Sequence, residues 1–147
     1  MPRVKRAVNA QKKRRKVLGD AYVDAASTNV NEFNRPFQEL IAEYVWGNLW
    51  SRKGLTHRER ALINLAMLTA VGRTEEIKIY LRAAPNVGVT RDDIREVFMQ
   101  TAVYCGIPAA LDSFRLAQKF FEDEDGKGGQ DSKGAKGGRG RKKTGRK

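Results

Sequence analysis

Between residues 60 and 70 the chain reads RALINLAMLTA, an almost unbroken apolar run interrupted by one amide, Asn64. Just ahead of it, Thr56 and Glu59 stand three residues apart. At that spacing a helix N-cap hydroxyl and the third helical residue satisfy each other's backbone N–H groups. The run is too apolar for a surface helix, so other helices are expected to wrap it. Gly72 fits its C-terminal stop. Upstream, Phe37, Leu40, Ile41, Tyr44, Val45 and Leu49 lie on one continuous stripe of a helix over about residues 35–50. A second face of that helix carries Glu43, Trp46, Gly47 and Trp50, which sets a carboxylate beside two indoles. Such a face needs a cover, either another copy of the chain or a ligand.

The same reading extends along the rest of the chain. Val17, Leu18, Ala21 and Tyr22 predict a short helix over 17–26, followed by a loop. Thr74 is placed to cap a helix whose first turn holds Glu75 and Glu76, where the helix dipole favours acids. Ile77, Tyr80, Leu81 and Ala84 are its inner face, and Pro85 and Gly88 end it. Thr90 with Asp93 opens another helix, whose core stripe is Ile94, Val97, Phe98, Ala102 and Cys105. After the break at Gly106 and Pro108, Ile107, Ala110, Leu111, Phe114, Ala117 and Phe121 mark a last amphipathic helix. No period-2 pattern persists anywhere. The expected fold is all-α, a bundle of five to six helices over 17–124. A basic lead (1–16) precedes it and a Gly/Lys-rich tail (125–147) without apolar periodicity follows it, and both are read as disordered.

Charge sharpens this division. The formal net charge is +12 over 147 residues, and the two ends, 1–16 and 126–147, carry +8 each, which leaves −4 for the middle. The basic ends read as solubilising tails, with contact to nucleic acid or another polyanion as the alternative. The middle holds no basic stripe and no nucleic-acid motif. One cysteine, Cys105, excludes an internal disulfide and a Cys-x-x-Cys pair. With no apolar run of membrane-spanning length, a cytoplasmic protein with no membrane contact is expected. One histidine and one cysteine make no metal constellation.

Several blocks resemble one known family. They are Leu18-Gly19-Asp20-Ala21-Tyr22-Val23-Asp24, Phe37-Gln38-Glu39-Leu40-Ile41, Trp46-Gly47, Trp50-Ser51-Arg52, Gly54-Leu55, Leu65-Ala66-Met67, Arg82-Ala83-Ala84, Asn86, Gly88-Val89-Thr90 and Gly106-Ile107-Pro108-Ala109-Ala110. In order and spacing they are similar to the carboxymuconolactone decarboxylase family over roughly residues 17–120. The resemblance implies an all-helical fold like that of alkyl hydroperoxidase D and assembly as a homotrimer or homohexamer. It also implies decarboxylation of 4-carboxymuconolactone to the β-ketoadipate enol-lactone, in the protocatechuate branch of aromatic catabolism, with no metal or organic cofactor. Three departures stand out. Tyr80 and Tyr22 occupy positions where members usually or often have His, and the stretch 73–76 lacks the Cys-x-x-Cys of the hydroperoxidase branch.

Decarboxylation asks for a cation to hold the remaining carboxylate, a donor on the carbonyl that receives the electron pair, and an acid to protonate the carbon. The candidates are Tyr80, Glu43 and Arg60 as catalytic groups, with Trp46, Trp50, Arg82 and Asn86 as substrate contacts. Each has a structural alternative: Tyr80 as a core tyrosine, Glu43 and Arg60 as an ion pair, the indoles as core, Arg82 as a solvent-face residue. Asn64 is expected to satisfy interior backbone groups, His57 to be exposed at the helix start, and Cys105 to be an inert buried thiol. The expected partners are a small organic acid and further copies of the chain. Two other readings stay open: a diverged scaffold of the same family without this reaction, and, more remotely, a thiol peroxidase.

Overall fold

A computed structural model describes residues 3–134, with side chains over 7–127. Among the described residues the chain is all-helical. Helix α1 (Arg3–Leu18) is followed by α2 (Asp20–Thr28) and α3 (Arg35–Leu40). The last runs without a break into a π-helical segment (Ile41–Asn48) and a 3₁₀ turn (Leu49–Ser51). Then come α4 (His57–Ala70), α5 (Thr74–Ala83) with a 3₁₀ turn at its end (Ala84–Val87), α6 (Arg91–Cys105) and α7 (Ile107–Gly134). The all-α bundle expected from the apolar periodicity is present. The basic lead is helical from Arg3 and contributes to the interior through Ala10. Helix α7 continues past Glu124 to Gly134, and the rest of the tail lies outside the described residues.

Local chemistry sets the helix starts. Thr56 accepts from the Glu59 backbone N–H (3.2 Å) while Glu59 accepts from the Thr56 backbone N–H (2.6 Å), the reciprocal cap expected of α4. Thr90 and Asp93 do the same for α6. Helix α5 differs: Thr74 is its first residue, and Arg73, at the cap position, makes no side-chain cap bond. Gly19 separates α1 from α2 at φ +85, a backbone conformation that a Cβ would strain. The Asn86 amide sits 3.4 Å from where that Cβ would be and donates to the Val17 carbonyl (3.1 Å).

The core gathers Val17 and Val23 from the N-terminal helices, Trp46 and Trp50, Leu65 of α4, Ile77 and Leu81 of α5, and Ile94 and Phe98 of α6. Phe98 meets Phe114 of α7 edge-on at 5.5 Å. A buried Ser113–Thr69 hydrogen bond (3.2 Å) ties α7 to α4.

The structure reverses three expectations. The indole face of 41–51 is the buried one, covered by α1, α4 and α5, whereas Phe37, Leu40, Tyr44 and Leu49 are exposed. The central helix α4 is not fully wrapped either: Ala61, Leu65 and Thr69 point inward, but Ile63, Met67 and Val71 are open to solvent. Apolar residues Met99, Val103, Tyr104, Ile107 and Leu111 of α6 and α7 are exposed as well. Cys105, expected in the core, is an exposed free thiol. It is the last residue of α6, one turn beyond the buried Thr101 on the same face, and the end of the helix, with Val103 and Tyr104, stands clear of the core.

Candidate functional site

Trp50 is the hub of the site. It is 1% exposed, and three rings surround it: Trp46 at 5.2 Å, His57 at 5.7 Å and Tyr80, nearly parallel, at 6.4 Å between centroids. Their placement follows from the helices that carry them. In the π-helical segment hydrogen bonds close five residues on, so each turn holds more residues than in an α-helix. Trp46 and Trp50, four apart, then stay on one face. On α4, His57, Arg60 and Asn64 follow the i, i+3, i+7 stripe and lie along one side of the helix. Tyr80 comes from α5, packed against α4.

Asn64 Nδ2 donates to the Tyr80 hydroxyl at 2.6 Å. That bond uses a lone pair of the phenol oxygen and leaves its O–H free to donate elsewhere. Burial raises the Tyr80 pKa above the ordinary phenol value; the Asn64 bond opposes this, and nearby Tyr22 adds to it. Tyr80 is therefore a neutral donor at physiological pH. Tyr22 and Tyr80, the two positions where the family resemblance led one to look for imidazole, thus lie within electrostatic reach of each other.

Arg60 is 9% exposed. Its guanidinium donates to the Arg52 carbonyl at 3.3 Å, and its Nε is buried without a hydrogen-bond partner. No carboxylate pairs with it among the described residues. Its charge acts on Glu59, whose carboxylate is already taken up by the Thr56 backbone N–H and hydroxyl. Arg14 of α1 likewise has a buried Nε without a partner. A charge left unpaired in the interior is costly, so such a guanidinium is poised for an anion.

His57 lies half-buried on the Trp50 ring rather than outside the helix start. Burial lowers its pKa, and the charges of Lys13, Lys16 and Arg60 lower it further against an opposing pull from the Trp50 backbone carbonyl. It is a neutral imidazole at pH 7. The sequence missed it because a capping-box position normally faces solvent; the neighbouring indole was the signal available.

The remaining candidates are placed elsewhere. Glu43 is exposed. An α-helical count put it with the indoles, but the longer π turn rotates it out of that face. The burial on which a general-acid role depended is absent. Arg82 stacks over the Tyr22 ring at 5.8 Å, one ring removed from Tyr80. It also lines a cleft of about 160 Å³ with Leu81, Arg91, Phe120 and Phe121, a cleft that includes neither Arg60 nor Tyr80. Asn86 serves the Val17 carbonyl as described. Among the described residues no group of three or more His, Cys, Asp or Glu could hold a metal ion. No described helix is long and apolar enough to cross a membrane.

The site is thus a buried cluster of rings that includes a neutral phenol donor, with a guanidinium that has no carboxylate partner among the described residues on the same face of α4 as His57, on an all-helical scaffold. The chain belongs to the carboxymuconolactone decarboxylase family, whose model matches residues 35–119. It is 39% identical over 110 residues to the 4-carboxymuconolactone decarboxylase of Acinetobacter baylyi, covering 75% of this chain and 82% of that one. It is 40% identical over 117 residues to the nitrosuccinic acid decarboxylase npaB of Metarhizium robertsii, covering 80% and 82%. An uncharacterised 15.0 kDa protein of Paracoccus denitrificans is 28% identical over 87 residues, 58% of this chain and 65% of that one.

Proposed function

We propose that this protein is a carboxy-lyase for a small dicarboxylate whose departing carboxylate sits beside an electron-withdrawing group. Its leading substrate is 4-carboxymuconolactone, converted to the β-ketoadipate enol-lactone. The observation that carries this reading is Arg60, nine-tenths buried and without a carboxylate partner among the described residues, on the same face of α4 as His57, whose ring meets Trp50. The two named decarboxylase relatives, each spanned over four-fifths of its length, support the reaction type.

In this reading each group has a role. Arg60 holds the carboxylate that stays. The carbon–carboxylate bond breaks, carbon dioxide leaves, and the electron pair moves into the lactone carbonyl, where the free Tyr80 O–H donates to the developing oxyanion. Carbon then takes a proton from solvent. Because the electron sink belongs to the substrate, the step needs no cofactor. The indoles keep water from the departing carboxylate, whose negative charge is lost as it leaves. Self-association through the exposed apolar faces belongs to the same proposal, since such faces on a single domain ask for cover.

The Metarhizium relative favours a second substrate within the class, nitrosuccinic acid. There the nitro group receives the electron pair, and a neutral hydrogen-bond donor such as Tyr80 suits a nitronate oxygen without any proton shuttle. Carbon dioxide release and product identification by NMR, run on both acids side by side, test the proposal. Turnover of either supports the carboxy-lyase, and the larger kcat/KM fixes the substrate. A folded protein inactive on both refutes it.

A further inference from the structure

We propose that the cleft between α5, α6 and α7 is a small-molecule site distinct from the ring cluster around Trp50, and that it takes a single-ring aromatic monocarboxylate, with the ring inside and the carboxylate on Arg82. The proposal is independent of the carboxy-lyase reading, because it uses none of the residues to which that reaction gives a role.

Helix α7 packs across both α5 and α6, and the cleft of about 160 Å³ lies where the three meet. Leu81 of α5, Ile94 of α6, and Phe120 and Phe121 of α7 form its apolar wall. Leu81 and Ile94 are buried, whereas the two phenylalanines are only partly so. Their rings meet edge-on at 5.8 Å. An apolar cavity of roughly 150 Å³ lined by Leu, Ile and Phe is large enough for one benzene ring. Aromatic rings pack edge-on or offset against one another, which favours an aromatic guest over an alkyl chain of similar volume.

The charged residues that line the cleft differ in what they already hold. Arg91 is gripped by both oxygens of Asp125, at 2.9 and 2.7 Å, and lies over the Phe121 ring at 4.4 Å. Glu124 is met by Lys127 at 3.3 Å. Arg82 is exposed and has no ion-pair partner among the described residues. Its guanidinium rests over the Tyr22 ring at 5.8 Å. A guanidinium resting on an aromatic face keeps its N–H edge free, and that edge pairs with both oxygens of a carboxylate. The charge left to complement is therefore positive. A neutral ring gains only the apolar wall, and a cation finds the one lining carboxylate already met. An aromatic carboxylate uses the wall and Arg82 together.

The test titrates the full chain with benzoate, benzamide, benzylamine and hexanoate, followed by NMR. Benzoate is expected to bind most tightly of the four. Benzamide keeps the ring and loses the charge, and its affinity is expected to be about threefold to fivefold lower, as suits an exposed ion pair. Benzylamine tests the opposite charge and hexanoate the same charge on an alkyl body; both are expected to bind more weakly than benzoate. Benzoate should shift the ring signals of Phe120 and Phe121 and leave the two indole N–H signals in place. Arg82→Gln is expected to lower benzoate affinity to about that of benzamide while benzamide binding is unchanged. The side chain is exposed, so the melting temperature without ligand holds. Four results each overturn the site: no benzoate binding by the folded protein, shifts centred on the indoles, benzylamine or hexanoate bound as tightly as benzoate, or benzoate affinity unchanged in Arg82→Gln.

Discussion

In the proposed reaction Tyr80 serves as a donor, because Asn64 donates to its oxygen and leaves the O–H free. Replacing Tyr80 with Phe removes that donor while keeping the ring on Trp50, so kcat is expected to fall on the order of 10²-fold or more with little change in KM. Asn64→Asp is the complementary change. A carboxylate there accepts the phenol proton and turns the donor away from the substrate, so kcat falls again, by an amount approaching that of Tyr80→Phe. A steady-state kcat and KM comparison of the two variants checks both. His57 gives a prediction about stability instead. Its folded pKa lies below the ordinary 6.5, so the unfolded chain takes up the proton first as the pH falls. Stability from this group is complete above about 6.5 and is lost as pH drops from there toward the depressed folded value. Urea midpoints measured from pH 8 to 5 should fall less steeply in His57→Gln than in wild type. Equal slopes would mean that the imidazole is not held neutral by its surroundings.

Elements decide which of these groups meet. The start of α4 rests on the Thr56–Glu59 reciprocal cap, and Thr56→Ala is expected to cost about 1 kcal/mol by urea unfolding. That cap was legible in the sequence, as were the Thr90–Asp93 cap and the inner stripe of α5, because each is written in residues three or four apart. The π-helical segment was not legible. Its residues suit an ordinary helix, and a wider turn arises from how the indoles pack against α1, α4 and α5, which no local pattern records. Counting it as α-helix put Glu43 beside the indoles and the Phe37–Leu49 stripe inside, and the structure turns both outward. Glu43→Gln should therefore leave kcat and KM within about twofold of wild type. Of the candidate site residues, Trp46, Trp50 and Tyr80 come together, and Arg60 lies on the α4 face that carries His57 to Trp50. Arg82 and Asn86 are drawn to Tyr22 and the Val17 carbonyl, contacts set by α1 and α2, whose packing on α5 had no periodic signal.

For the whole molecule, charge and apolar surface point to two different partners. Arg60, buried without a carboxylate partner among the described residues, suits the small organic acid proposed above. The exposed apolar residues, Phe37, Leu40, Tyr44 and Leu49 in one stretch and Ile63, Met67, Val103 and Tyr104 on α4 and α6, are the surfaces on which the proposed self-association would rest. Sedimentation equilibrium should report a mass above the 16.5 kDa of one chain, and Leu40→Glu/Tyr44→Glu should lower it toward that value. The catalytic claim is tested most directly by carbon dioxide release from 4-carboxymuconolactone and nitrosuccinic acid, comparing wild type with Arg60→Gln. The expected result is turnover by wild type and a KM raised on the order of tenfold to a hundredfold in the variant, since the buried guanidinium holds the carboxylate that stays. Wild-type turnover that Arg60→Gln leaves untouched, or no turnover by a folded protein, would contradict the account.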